Sequence, residues 1–193
     1  MRVRCVRVSA RPEDVVPGAD VVIVAAPAHA HRPLLCAIAP HVTRGVWVGT
    51  LYGQGGFDWA VASAFSSRAR GVVAVTFGLT NIPWICQKVK YGASARIIGP
   101  KKKLYVAATP TTIAPQAALL VEALFGIPTE TVANFLSLTL TPSNQIIHPA
   151  RYYAIFHDYD GKKVYQRQSL PAKLFVRARC CSLRRALTLP CVF

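Results

Sequence analysis

Acidic side chains are scarce in this chain of 193 residues: eight Asp or Glu stand against 23 Lys or Arg, leaving a net charge of +15. A surplus of that size ordinarily implies nucleic acid or an anionic surface as partner, so its distribution matters. Residues 1–11 hold four Arg and residues 162–193 hold eight Lys or Arg, with no acid in either stretch. Between them, residues 12–161 carry eleven basic and eight acidic residues. The basicity therefore belongs to the ends, which lack interleaved aromatics and any recognisable nucleic-acid module. A specific nucleic-acid partner is not expected, and a basic nucleic-acid or anionic-surface binding protein is kept only as an alternative class.

Long apolar runs are missing too. Hydrophobic residues make up 52% of the chain, but His or Pro interrupts the runs within about ten residues, short of the ~20 that a membrane helix needs. No membrane partner is expected. The opening MRVRCVRVSA has no apolar segment behind its basic residues, so no secretory signal is read. Six Cys show neither metal spacing nor a paired framework: Cys36 and Cys86 stand alone, while Cys180 and Cys181 are adjacent. They read as thiols of a reducing, cytoplasmic compartment. His29 and His31 lack a third ligand at workable spacing, so no metal is expected. Absent as well is any G-x-G-x-x-G, since Gly53, Gly55 and Gly56 have a different spacing.

What is present alternates short β-branched runs with helical patterns. Ala19 to Pro27, entered by Gly18, is too short for a helix and suits a strand buried on both faces. Residues 30–42 follow with Leu34, Leu35, Ile38 and Val42 at helical spacing. Val46 to Leu51 is a second strand, ended by Tyr52-Gly53-Gln54-Gly55-Gly56; Phe57 to Phe65 is a helix, and Val72 to Phe77 a third strand. Alternation of this kind predicts a parallel three-stranded core over residues 19–77. Beyond it, Arg96–Ile98 and Leu104–Ala108 read as a hairpin joined through Gly99-Pro100-Lys101-Lys102, with Lys101 to Lys103 at its tip. Pro115 to Leu124 is a helix closed by Gly126, and Glu130 to Leu140 is expected to be helical too. A helical segment from about residue 111 to 157 is expected to pack near the sheet's C-terminal edge.

The most chemically useful cluster follows in Thr139–Arg151, TLTPSNQIIHPAR. If Pro142 opens a helix, Asn144 and His148 share a face, and so do His148 and Arg151. An imidazole titrating near neutrality beside an amide and a guanidinium suits a carbonyl substrate bearing a carboxylate. The alternatives stay open: His148 packs at a domain junction, Asn144 caps the helix, and Arg151 solvates a helix face.

Four segments then act together: ADVVIVAAPAHAH, WVGTLYGQGGFDW, TFGLTNIPWICQKVKYG and FLSLTLTPSNQIIHPARYY. In this order they resemble the opine dehydrogenases, the octopine and tauropine dehydrogenase family, over residues 19–165. The resemblance implies an α/β fold, a partial Rossmann-type parallel sheet with a hairpin extension, followed by the start of an α-helical domain. Its boundaries are a basic segment 1–18 outside the match, a nucleotide-binding region 19–140, the start of the helical domain 141–165, and a basic tail 166–193. The implied reaction is reductive condensation of pyruvate, or another 2-oxo acid, with an amino acid, using NAD with NADP also allowed. His148 matches the catalytic His, and Cys86 matches the Cys of PW.C near the active site. Asn144 and Arg151 join Cys86 as substrate-binding candidates, while Pro27, Ala28 and His29 are the cofactor-binding ones. Residues 1–18 show no first strand, phosphate-binding turn or ribose-binding acid, so the chain reads as the middle of an enzyme, and a non-catalytic fragment or gene-model product is the alternative.

Overall fold

The computed structural model describes residues 7–68, 71–91, 93–141, 149–150, 152–154 and 156–157. The chain divides into two units, Met1–Thr141 and Pro142–Phe193.

The first unit opens with α1 (Pro12–Val15), set by a proline in its first turn. Asp14 draws the preceding chain onto it, accepting from Ser9 Oγ at 2.7 Å and from Arg11 Nε at 3.0 Å. Val16, just beyond, is a core residue. One acid thus gathers the local cations, and one buried valine anchors the segment to the core.

Next come β1 (Val21–Val24), α2 (Ala28–Ile38), β2 (Val46–Thr50), α3 (Phe57–Ala64) and β3 (Val73–Leu79). The pairs β1 with β2 and β2 with β3 are parallel, with Val22 opposite Val48 and Val48 opposite Thr76. This is the predicted three-stranded core. Two further strands, β4 (Trp84–Lys90) and β5 (Ser94–Pro100), pair with each other as a separate two-stranded arm. The chain then returns through β6 (Leu104–Thr109), antiparallel to β3, and continues with α4 (Ala114–Phe125), β7 (Thr129–Thr131) beside β6, and α5 (Phe135–Thr139). The sheet order is β1-β2-β3-β6-β7.

Three expectations are corrected here. The hairpin joins residues 84–90 to 94–100, and Leu104–Ala108 pairs with β3 instead of with Arg96–Ile98. Burial decides this: Leu104, Val106 and Ala108 point onto α4 in a dry cluster with Val75, Phe77 and Leu79, which a local hairpin would leave in water. Consequently Lys101 to Lys103 do not cap a hairpin but lie on the link from arm to sheet. There Lys103 bonds to Glu130, whose carboxylate raises the lysine's pKa above its ordinary value. Finally, Glu130 to Leu140 is split into β7 and α5, and residues 111–157 are accordingly not helical throughout. Asn134 makes the break, accepting from Ser137 N at 2.8 Å as the cap of α5.

Side-chain alternation sends the strands' residues to two opposite cores. Val24, Val46 and Val48 join Leu35 of α2, Val61 of α3 and Phe135 and Leu138 of α5 on one face. Val75, Phe77, Val106 and Ala108 meet Ala117 and Val121 of α4 on the other. Helices on both faces of a largely parallel sheet make this an α/β fold of Rossmann type, with β1 and β7 as its outer strands among the described residues. In the second unit, a short helical stretch stacks Tyr152 on Phe156 and Tyr153 on His157, with ring centroids 6.2 and 5.2 Å apart. Among the described residues no helix is long and apolar enough to cross a membrane.

Candidate active site at the carboxyl ends of the parallel strands

In an open α/β sheet ligands meet the crevice beyond the strands' carboxyl ends. Here that crevice is bordered by residues 25–28 after β1, 51–56 after β2, and 80–81 after β3. Two helices begin in it. Pro27 precedes α2 and Gly56, at φ 72°, precedes α3, and neither start carries a side-chain cap. Their first-turn N–H groups therefore make a locally positive rim suited to an anionic or carbonyl oxygen. Pro27, Ala28 and His29 are exposed on this rim. An added Cβ on Gly55 would come within 3.3 Å of Ala28 Cβ, so the two loops approach closely.

The loops are tied down from below. Thr50 Oγ1 donates to the Val24 carbonyl at 3.0 Å, locking the end of β2 to that of β1. The Tyr52 hydroxyl donates to Gln54 Oε1 at 2.6 Å, and Gln54 is buried. His31 lies in the first turn of α2. The structure turns it inward, 2% exposed, with its ring edge-on to Phe57 at 5.0 Å. Its Nε2 donates to the Ala26 carbonyl at 2.9 Å, so it holds the rim where the chain leaves β1. The i, i+4 spacing to Leu35 puts His31 on the buried stripe of α2, but its partner Phe57 comes from another helix and is not given by the spacing.

Burial is the main cause that lowers the His31 pKa from 6.5, with His29 adding to it and the Ala26 bond opposing it. The folded pKa thus lies below the unfolded one, and on acidification the unfolded chain takes the proton first. Stability that is intact above about pH 6.5 should be lost progressively as pH falls below it. His31→Gln keeps a donor for Ala26 while removing the titration, and its denaturation midpoint should vary less between neutral and mildly acid pH. Identical pH profiles for both proteins would contradict this role.

Close approach defines the floor of the crevice. Gly53 and Gly78 face one another, and a Cβ built on either would stand 3.1 Å from the other's Cα. The same added carbon would meet Phe135 Cζ at 2.9 Å from Gly78, or Leu138 Cδ2 at 2.6 Å from Gly53. Helix α5 is thus seated directly on glycine backbone at the strand ends. Gly78→Ala should cost about 1–3 kcal/mol by overpacking, read as a lower denaturant midpoint. An unchanged midpoint would mean that α5 can lift without loss. Gly49 serves the other face similarly, since its missing side chain is the space taken by the Phe77 ring.

Of the residues singled out from sequence, Pro27, Ala28 and His29 share this rim. Cys86 lies on β4 of the arm, exposed and paired opposite Ile97. Asn144, His148 and Arg151 lie outside the described residues. An open groove of about 540 Å³ runs instead along α3 and the first half of β3, between Trp59, Arg68, Val73 and Thr109, away from the strand ends. Among the described residues no group of His, Cys, Asp and Glu is arranged to hold a metal.

No protein-family model matches the chain. The tauropine dehydrogenase of Arabella iricolor is 30% identical to it over 161 residues, 81% of this chain and 40% of that protein. The octopine dehydrogenase of Pecten maximus is 30% identical over 157 residues, 79% of this chain and 38% of its own length. Among solved structures, octopine dehydrogenase with NADH and L-arginine matches with a TM-score of 0.68 at 27% identity, covering 84% of this chain and 40% of that one. The chain thus spans about two fifths of the length of these curated relatives. In sequence and in fold the chain is thus similar to about two fifths of these opine dehydrogenases.

Proposed function

We propose that the chain is the sheet-bearing part of an opine dehydrogenase acting on a 2-oxo acid, such as pyruvate, and an amino acid. The supporting observation is the joint similarity in sequence and fold to octopine dehydrogenase, whose solved complex contains NADH and L-arginine. The crevice fits the nicotinamide end of such a cofactor, since uncapped helix starts at Pro27 and Gly56 offer N–H donors beside the strand ends. It does not supply the glycine-rich turn that would take the pyrophosphate, because the sequence has no G-x-G-x-x-G. Bound NADH, or NADPH, contributes the hydride.

The chain's own residues do the rest. Pro27, Ala28 and His29 line the nicotinamide side. His148 gives a proton to the substrate nitrogen or oxygen on which negative charge develops as the carbonyl-derived carbon is reduced. Asn144 orients the substrate, Arg151 engages a substrate carboxylate through two parallel N–H bonds, and Cys86 lies near the bound acid. The amino nitrogen replaces the carbonyl oxygen of the 2-oxo acid, which leaves as water, and hydride at the carbon with a proton at the nitrogen completes a secondary-amine dicarboxylic acid. To test this, the chain would replace the matching segment of Pecten maximus octopine dehydrogenase, and NADH oxidation would be followed with pyruvate and a panel of amino acids. Turnover requiring both substrates supports the reading. A folded hybrid that oxidises NADH with no pair overturns it.

A further inference from the structure

The β4–β5 arm is rooted at the crevice end of the sheet. Leu79, at the end of β3, lies opposite Val106 near the start of β6, and Leu104 N donates to the Pro128 carbonyl just beyond α4 at 2.9 Å. At this end Phe125 of α4 meets the Trp84 ring edge-on at 5.3 Å. Pro83 is buried, and its carbonyl accepts from Lys101 N at 2.9 Å, so both strands of the arm leave the body together. Along the arm the pairs Cys86 with Ile97, Gln87 with Arg96 and Lys88 with Ala95 follow without a break. Alternation then gives Cys86, Lys88, Ala95 and Ile97 to one face, and Gln87 and Arg96 to the other.

The face that carries Cys86 is therefore cationic. Lys88 stands about 7 Å further along the strand. Its Nζ lies over the Tyr91 ring at 5.3 Å, a contact that holds an ammonium without cancelling its charge. No acid offsets it within the arm, since residues 82–103 hold six Lys or Arg and no Asp or Glu. The reacting carbons belong at the strand ends, so what reaches the arm is the part of a substrate most distant from them. Pyruvate has no such part, whereas an amino acid has its side chain. Resting on the opine dehydrogenase reading, which sets Cys86 near the bound acid, we propose that this face selects the amino-acid substrate by charge. Lys88 binds the carboxylate or sulfonate of an anionic side chain, Ile97 and Ala95 flank its short stem, and a cationic side chain such as that of arginine is repelled.

The full chain reports the local charge through Cys86. Two methanethiosulfonates, one bearing a sulfonate and one a trimethylammonium group, are reacted with it at low ionic strength, and the Cys86 peptide is followed by mass spectrometry. Cys86 should prefer the anionic reagent. Lys88→Glu should shift the ratio of the two rates toward the cationic reagent at least ~10-fold, and Arg96→Glu, the same charge change on the opposite face, less than ~3-fold. Equal rates with both reagents, or equal shifts in the two variants, would overturn the proposal. Selectivity is read in the hybrid with octopine dehydrogenase, as kcat/KM for glutamate, cysteate and arginine at saturating pyruvate. Glutamate or cysteate should exceed arginine, and Lys88→Glu should move that ratio toward arginine at least ~10-fold through the KM of the amino acid, with the KM for pyruvate unchanged. A hybrid that prefers arginine, or a ratio that Lys88→Glu does not move, would overturn the charge selection and leave the opine dehydrogenase reading intact. A folded hybrid without turnover on any amino acid would overturn that reading, and the substrate class with it. Should Lys88→Glu lose its circular dichroism, Lys88→Gln decides, with a smaller shift in the same direction.

Discussion

Replacing His148 by Gln in an active hybrid with octopine dehydrogenase is expected to lower turnover at least ~100-fold, because general acid assistance contributes about 100-fold to 10,000-fold. The amide keeps the size and polarity of the ring but cannot exchange a proton near neutrality. His29→Gln, on the exposed rim of the crevice, should leave the acid step intact and change turnover much less. The two variants thus separate proton transfer from cofactor contact. Steady-state rates at saturating pyruvate and amino acid are the measurement, and near-normal turnover in His148→Gln would move the acid to another residue.

Expressed by itself, the 193-residue chain is expected to bind NADH no more tightly than about millimolar, equivalent to ~4 kcal/mol. A dinucleotide owes much of its affinity to a pyrophosphate seated on a glycine-rich turn and helix start. This sequence has no such fingerprint, and the Gly53–Gly56 loop is occupied with packing: Gly53 lies against Gly78 and Leu138, and Gly55 against Ala28. What remains is a rim for the nicotinamide end alone. Calorimetric titration of the monomer checks this, and a micromolar dissociation constant would mean that a phosphate site of another design exists in the chain. The outer position of β1 adds a second expectation, since an unpaired strand of Val and Ile edges can template association.

The candidate site was legible to different depths. The rim at Pro27, Ala28 and His29 followed from a simple rule, that an apolar strand stopped by proline delivers its next residues to the strand's carboxyl end. Cys86 was legible only as a motif. Its sequence neighbours gave no hint that it would stand on a separate arm, because β4 takes its partner from residues 94–100 and not from the sheet it has just left. The partners of His31 and of the Gly53–Gly78 contact were not legible. Each depends on a side chain from a distant element, Phe57 in the first case and Phe135 or Leu138 in the second.

By itself the sequence determined the β/α succession. Short β-branched runs bounded by Gly and Pro can bury both faces only as strands, and Ala114–Phe125 ends where Gly126 takes the left-handed conformation at φ 65°. Local chemistry suffices for such elements, because turn residues and apolar period act within a few positions. Only the tertiary structure decided the partner of Leu104–Thr109. A Gly-Pro-Lys-Lys link offers a nearby turn, yet pairing with β3 lets Leu104, Val106 and Ala108 meet α4 and bury far more apolar surface. That gain exists only once β3 and α4 are both in place, so it is a property of the assembled sheet and is written in no single stretch of the chain.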